Sequence, residues 1–375
     1  MESSLTNVLS QPRLPLEIIL LIVESLAPSN PDTILPPSHE ATKCLLALTR
    51  VSSAVSRLAS KLLWQSCPHI NSLRKLRDFG TALRCLAPND VRRPANLFLG
   101  LYHGDDNPLS EAWPWYTRVG NAYHGAELPL VDLDLGSSGS VIGALVQTVL
   151  LEVAPTLRRL VINMPLAAVD IQHDGDAMLG LLRPGFEALV HLEEFTSIGD
   201  NFSFRPLDRD APEVWASSWP KLRRLSLGNA GTNFTPVINV RSLDMLVISS
   251  LNAFHLLMTG IKGNLMSALR RDREARNQAA REPFTLVYVD SFSASWTDLH
   301  PQRSARVLLT DVGAELKESR EDHSSEEVYL TLRWMQQKAL LGTLWDSASA
   351  GSGDWVGCTP WRGTVSSQDV EAIIK

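Results

Sequence analysis

Apolar residues dominate the stretch from Leu14 to Leu26, where Leu16, Ile18, Ile19, Leu20, Leu21, Ile22, Val23 and Leu26 leave only Glu17 and Glu24 as charges, seven apart on one narrow helical face. Pro15 suits the first turn of a helix, where its missing N–H has no partner to lose. No further breaker occurs before Pro28, so the pattern predicts a helix over 15–26. A helix that is apolar nearly all round must be buried on two sides. The segment therefore reads either as a core helix of one large domain or as a helix that meets a partner. The twelve residues from Pro15 to Leu26 are too few for the ~20 that cross a bilayer. The stretch also lacks the basic region and cleavage site of a signal peptide.

A second helical pattern spans Val51–Trp64: Val51, Ala54, Val55, Leu58, Ala59, Leu62 and Leu63 recur at i, i+3, i+4 and i+7, with Ser52, Ser53, Ser56, Arg57, Ser60 and Lys61 opposite. Between the two, Ala41–Thr49 places Cys44, Leu45 and Leu48 on a common face. Three helices in this order, opened by Leu14-Pro15-Leu16-Glu17-Ile18 and closed by Val51-Ser52 through Leu62-Leu63-Trp64, resemble the F-box, the helical module that plugs proteins into a ubiquitin-ligase scaffold. The resemblance covers residues 13–66. It departs from a minimal F-box at Pro28–Thr42, a longer loop carrying Pro28, Pro31, Pro36 and Pro37. It implies docking on a Skp-type linker protein through Leu14, Pro15, Ile18, Ile19, Ile22, Val51, Val55 and Leu58.

Downstream a six-residue pattern, apolar-x-x-apolar-x-apolar, recurs at Leu130/Leu133/Leu135, Leu157/Leu160/Ile162, Leu222/Leu225/Leu227, Leu243/Leu246/Ile248 and Phe284/Val287/Val289. A weaker copy at Leu192/Phe195 has Ser197 in third place. Helix-like stretches at Gly139–Val153, Ala177–Leu189 and Asn252–Arg281 fall between copies. Alternating short strands and helices predict an α/β fold with a mostly parallel sheet, either a solenoid of stacked units or an ordinary α/β domain. The pattern resembles a degenerate leucine-rich repeat, with steps between third positions from 21 residues (Leu227 to Ile248) to 41 (Ile248 to Val289). The expected organisation is thus a three-helix F-box at 13–66, a helical boundary region at 67–94, a leucine-rich-repeat-like region at 95–345 and a Ser/Gly-rich tail at 346–375. A fragment starting near residue 85 is expected to fold alone. Near the C-terminus Ser324–Glu327 reads as a capping box before a stripe of Val328, Leu332, Met335 and Ala339, and Trp355 and Trp361 are expected to pack back onto the domain.

Charge and composition narrow the function classes. Of the 375 residues 44% are hydrophobic, enough for a sizeable core, and a net charge of −6 spread along the chain lacks the concentrated basic field of phosphate-backbone binding, so nucleic acid is not an expected partner. Nor is a membrane. Cys44, Cys67, Cys85 and Cys358 have no metal-ligand spacing and read as reduced thiols of a cytoplasmic or nuclear protein. The sequons at Asn201 and Asn233 are then chance matches. Gly136–Gly143, after the Leu130–Leu135 pattern, reads as a strand–turn–helix, but without the Lys of a P-loop or GxGxxG spacing it is taken as a turn between repeat elements. His103–Asp106 and His173–Asp176 read as polar loops, and the Arg270–Arg276 run as a solvated helix face. No catalytic residue, metal site or cofactor is assigned.

The resemblance therefore implies a non-enzymatic substrate adaptor of a cullin–RING ubiquitin ligase. A binding scaffold outside ubiquitination, or an enzyme using Gly136–Gly143, are the alternatives. In each apolar-x-x-apolar-x-apolar strand the intervening side chains point away from the core, so Asp132, Asp134, Arg159, Asn163, Arg224, Ser226, Met245 and Ser249 are expected to line one sheet face that receives a target protein.

Overall fold

A computed structural model describes residues 14–87, 90, 92–101, 135–164, 175–198, 218–228, 240, 242–249, 285–289, 335–345 and 363–364. Its N-terminal part is three helices, α1 (Leu16–Glu24), α2 (Glu40–Leu48) and α3 (Ser53–Ser66). Pro15 stands immediately before α1, and its carbonyl accepts from Ile18 and Ile19 N–H at 3.1 and 3.2 Å. Ser52 caps α3 by accepting from Val55 N–H at 3.4 Å, which satisfies one of the orphan donors of the first turn. Val23, Leu45, Val55, Ala59 and Leu62 form the buried centre of these helices, with Ile19, Leu20, Leu48 and Leu58 packed around it.

The strands and helices described beyond residue 67 form an α/β layer. Strands β1 (His69–Ile70), β2 (Asn96–Leu99), β3 (Arg159–Ile162), β4 (Glu194–Ser197), β5 (Arg224–Gly228), β6 (Met245–Ser249) and β7 (Thr285–Val289) pair in sequence order, all parallel, and β8 (Gly363–Thr364) closes the edge antiparallel to β7. Helices α4 (Leu73–Arg84), α5 (Leu135–Val153) and α6 (Gly175–Glu187) connect the first four strands. All three lie on one face: Leu76 and Leu83 of α4, Val146, Val149, Leu150 and Val153 of α5, and Leu182 and Phe186 of α6 share a core with Leu97, Leu99, Leu160, Ile162, Phe195, Leu225, Leu227, Leu246 and Ile248. The helices approach closely, since a Cβ on Gly185 of α6 would stand 3.1 Å from Gln147 Cα of α5.

Several sequence expectations change here. Leu135 is helical rather than the end of a strand, and Gly136–Ser140 forms the first turns of α5 rather than a glycine turn. The apolar run from Val141 propagates the helix back through small residues that do not obstruct it. Leu130–Asp134 lie outside the described residues; among the described ones the strand that precedes α5 is β2, whose in-phase residues are Pro94, Leu97 and Leu99, a copy hidden by proline in the first apolar place. The last copy is shifted by one residue. Leu286 and Tyr288, not Val287 and Val289, are in register with Leu246 and Ile248, and the residue in first place is again a proline, Pro283. The 346–375 tail supplies β8.

The 67–94 region is no boundary. It supplies β1 and α4, and Trp64 of α3 packs against Phe79 of α4 with ring centroids 5.0 Å apart and the rings tilted by 35°. Buried Arg93 pins its end, donating to Ala87 O at 3.0 Å, to Leu86 O at 3.3 Å and to Glu152 O, and pairing with the Glu152 carboxylate at 3.2 Å. A fragment beginning at residue 85 would therefore lose Ile70, Leu76 and Leu83, each no more than 2% exposed. At ~1.5–3 kcal/mol per buried aliphatic side chain, that removes roughly 5–9 kcal/mol, comparable to a whole domain's stability of about 5–15 kcal/mol. Residues 85–375 expressed alone are expected to aggregate, and a cooperative thermal transition in a monomeric fragment would contradict this.

Candidate interaction surfaces

Helix α1 carries two apolar stripes. Ile19, Leu20 and Val23 face the three-helix core. Ile18, Leu21 and Ile22, spaced i, i+3 and i+4, remain 42%, 59% and 51% exposed, and Leu14, just before the helix, is 59% exposed. Exposed large apolar side chains gathered on one helix mark an interaction surface more often than scattered ones do. Pro15 is also exposed, as are Leu16, Leu46 and Val51. The eight residues expected to dock therefore divide. Leu14, Pro15, Ile18, Ile22 and Val51 are accessible; Ile19 and Leu58 are partly buried against the helical core; and Val55, 1% exposed, belongs inside it. Periodicity identified the apolar faces of α1 and α3 but could not say which of them a neighbouring helix would use.

Of the eight residues expected to bind a target, Arg159, Asn163, Arg224, Ser226, Met245 and Ser249 fall on the strand positions that alternate away from the helices. Register aligns Arg159 with Glu194, Glu194 with Arg224, and Arg224 with Met245 in one row, while Ser226 lies in the next row beside Thr196 and Val247. Asn163 follows β3 and Ser249 ends β6. That face is closed, however. Arg159, Asn163, Ser226 and Met245 are all buried, and of the set only Arg224 is known to keep a half-exposed side chain. Asp132 and Asp134 lie outside the described residues, as do His103–Asp106, His173–Asp174, the Asn252–Arg281 and Ser324–Glu327 stretches, Trp355 and Trp361.

Two segments remote in sequence cover the face over β2 to β4. One is the helical segment 335–341 with its continuation to Trp345, in which Met335, Ala339, Leu344 and Trp345 are buried. The other is the loop after α1, where Thr33, Ile34 and Leu35 are buried. Arg159 joins them. Its guanidinium donates to Asp32 O and to Ala339 O, and its Nε lies 3.2 Å from Glu194 Oε2, an ion pair outside hydrogen-bond alignment. Glu194 also accepts from Trp345 Nε1 at 2.7 Å and from Arg224 Nη1 at 2.5 Å. Burial pulls the Arg159 pKa below the usual guanidinium value, and the Glu194 carboxylate opposes that shift. A side chain this basic stays charged, and its two carbonyl acceptors and its carboxylate compensate the lost hydration.

Outside this row runs a second charged one. Arg158 pairs with Glu193 at 3.7 Å and Arg223 with Asp244 at 2.6 Å, each residue one position before its strand. The rows Arg159–Glu194–Arg224 and Arg158–Glu193–Arg223–Asp244 place opposite charges on neighbouring strands, which favours the pairing of these strands.

Among the described residues no group of three or more His, Cys, Asp or Glu side chains could hold a metal ion, and no helix is long and apolar enough to cross a membrane. Gly136–Gly143 are helical, and from Gly139 on their amides lie beyond the first turn of α5 and are committed to it. No family model matches the chain, and no curated protein or solved structure is significantly similar to it.

Proposed function

We propose that residues 13–66 are an F-box, that the strand–helix region is a degenerate leucine-rich-repeat-like solenoid, and that the chain is a substrate-recognition adaptor of a cullin–RING ubiquitin ligase. The observation that carries this reading is the second apolar stripe of α1. Its Ile18, Leu21 and Ile22 are left exposed although the opposite stripe already fills the three-helix core, and the exposed Leu14-Pro15 start of the motif lies immediately before it. The solenoid reading is supported by strands that each pair with the next in sequence, with the first helices on one side of the sheet.

In this role the protein forms no covalent intermediate and needs no cofactor. Transfer of ubiquitin belongs to the conjugating enzyme held at the far end of the ligase, and the adaptor acts by raising the effective concentration of a target lysine near it. The cytoplasm or nucleus, where such ligases work, is the corresponding location. The closed strand face turns target capture toward other surfaces, because Arg159, Ser226 and Met245 are sealed from solvent.

The test is reconstitution. The full chain mixed with purified Skp-type linker protein and the N-terminal half of a cullin should co-elute as a ternary complex in gel filtration. Separate elution of the chain from the linker protein would overturn the F-box reading. Binding to the linker protein without recruitment of the cullin would replace the adaptor by a scaffold.

A further inference from the structure

The helical N-terminal part meets the sheet layer at two separate places. At the first, the end of α3 runs into β1 and Trp64 rests on Phe79. At the second, residues 30–35 lie between the sheet and the C-terminal segment 335–345. On the sheet side, Asn96 Nδ2 donates to Pro31 O at 2.9 Å and the Arg159 guanidinium donates to Asp32 O. On the other side, Ile34 N–H donates to Leu340 O at 2.7 Å, while Asn30 Nδ2 and Thr33 Oγ1 both donate to Leu341 O at 3.1 Å. Leu35 N–H then donates to Ser66 O at 2.7 Å, tying the stretch to the last residue of α3.

The C-terminal segment is itself held on the sheet by Arg159 to Ala339 O, Asn163 to Gln336 Oε1 at 3.2 Å and Trp345 to Glu194. It ends its helix at Gly342, whose φ of +72° is one that a side chain disfavours. The fit there leaves no room. A Cβ on Gly342 would stand 2.8 Å from Asn30 Nδ2 and 2.8 Å from Asp32 Cβ.

One point of attachment leaves a hinge, whereas two at separate places fix an orientation. We infer that the segment 335–345 is a clasp which, by holding residues 30–35 on the sheet, sets the direction in which α1–α3 and the exposed stripe of α1 face, so that the C-terminal part of the chain controls how the N-terminal docking surface is presented. This rests on the adaptor reading only in taking that stripe as the docking surface. Neither measurement below involves a partner, so their failure would leave that reading untouched.

The variant is G342V in the full chain. In hydrogen–deuterium exchange the Ile34 and Leu35 amides are expected to exchange about tenfold faster or more than in the native protein, while the interior amides of α5 keep their protection. In parallel, spin labels at the exposed Cys44 of α2 and Cys85 beyond α4, with Cys67 and Cys358 replaced by serine in both proteins, should give one narrow distance distribution in the native background and a broad one in G342V. Should G342V also lower α5 protection, N30A, which removes the donor to Leu341 O and the Oδ1 acceptor of Asp32 N–H without adding bulk at the contact, is read in the same way. Unchanged exchange at Ile34 and Leu35 would overturn the clasp, and so would faster exchange with distributions of equal width.

Discussion

Replacing Leu14 and Ile18 together by aspartate is expected to abolish binding of the Skp-type linker protein without altering the fold. Both side chains are more than two-fifths exposed, so in the free protein the carboxylates remain hydrated and the three-helix core of Val23, Leu45, Val55, Ala59 and Leu62 is untouched. In a complex the same carboxylates would enter an apolar contact without partners, at a cost on the order of 3 kcal/mol apiece. Two of them weaken binding by roughly four orders of magnitude, beyond detection by co-purification. The melting temperature should stay within a degree or two of the native value. A contrasting pair sharpens the test: V55D places its charge inside the helical core and should unfold those helices, whereas V51D, at an exposed position, should leave them folded. Undiminished binding by a folded L14D/I18D protein would remove the F-box assignment.

The second large effect is expected at Arg159. Its replacement by alanine leaves the Asp32 and Ala339 carbonyls without their donor in a buried setting and takes one of two guanidinium partners from Glu194. Breaking a buried charged network from one side costs about 3–5 kcal/mol, which for a chain of this size lowers the melting temperature by roughly 4–6 °C. R224A is the control, because it removes the other guanidinium from the same carboxylate but at a side chain 41% exposed, where an ion pair is worth about 1 kcal/mol or less. Lysine should not rescue Arg159, since a single ammonium cannot span two carbonyls and a carboxylate as the planar fork does. Thermal and urea denaturation of the two variants side by side decide the matter, and equal losses in R159A and R224A would show that the network is not the joint described here.

The same residue shows where local reading stops. Alternation along β3 correctly turns Leu160 and Ile162 toward the helices and Arg159 and Asn163 away from them. By that pattern alone Arg159 belongs on an open, charged binding face. It is buried because residues 30–35 and 335–345, about 130 positions upstream and 180 downstream of it, meet there. The loop Pro28–Thr42, an unexplained extension by comparison with a minimal F-box, turns out to be the piece that reaches the sheet.

What the sequence alone determined is what depends on neighbours within a turn or a strand. The 3.6-residue period of Val51–Trp64 places α3, the two-residue period of Leu157–Ile162, Leu222–Leu227 and Leu243–Ile248 places β3, β5 and β6, and the interval between strands leaves room for helices, which together dictate an α/β chain with a parallel sheet. It failed where a proline stood in the pattern, at Pro94 and Pro283, and where a helix drew in small residues, at Gly136–Ser140. Only the tertiary structure decided which apolar stripe of α1 is left open, that the strand face is sealed, and that α4 completes the sheet's core instead of bridging two domains. Each of those outcomes is set by contacts such as Asn30 with Leu341, 311 residues apart, and a periodic pattern spanning one helix or strand carries no information about a partner at that distance.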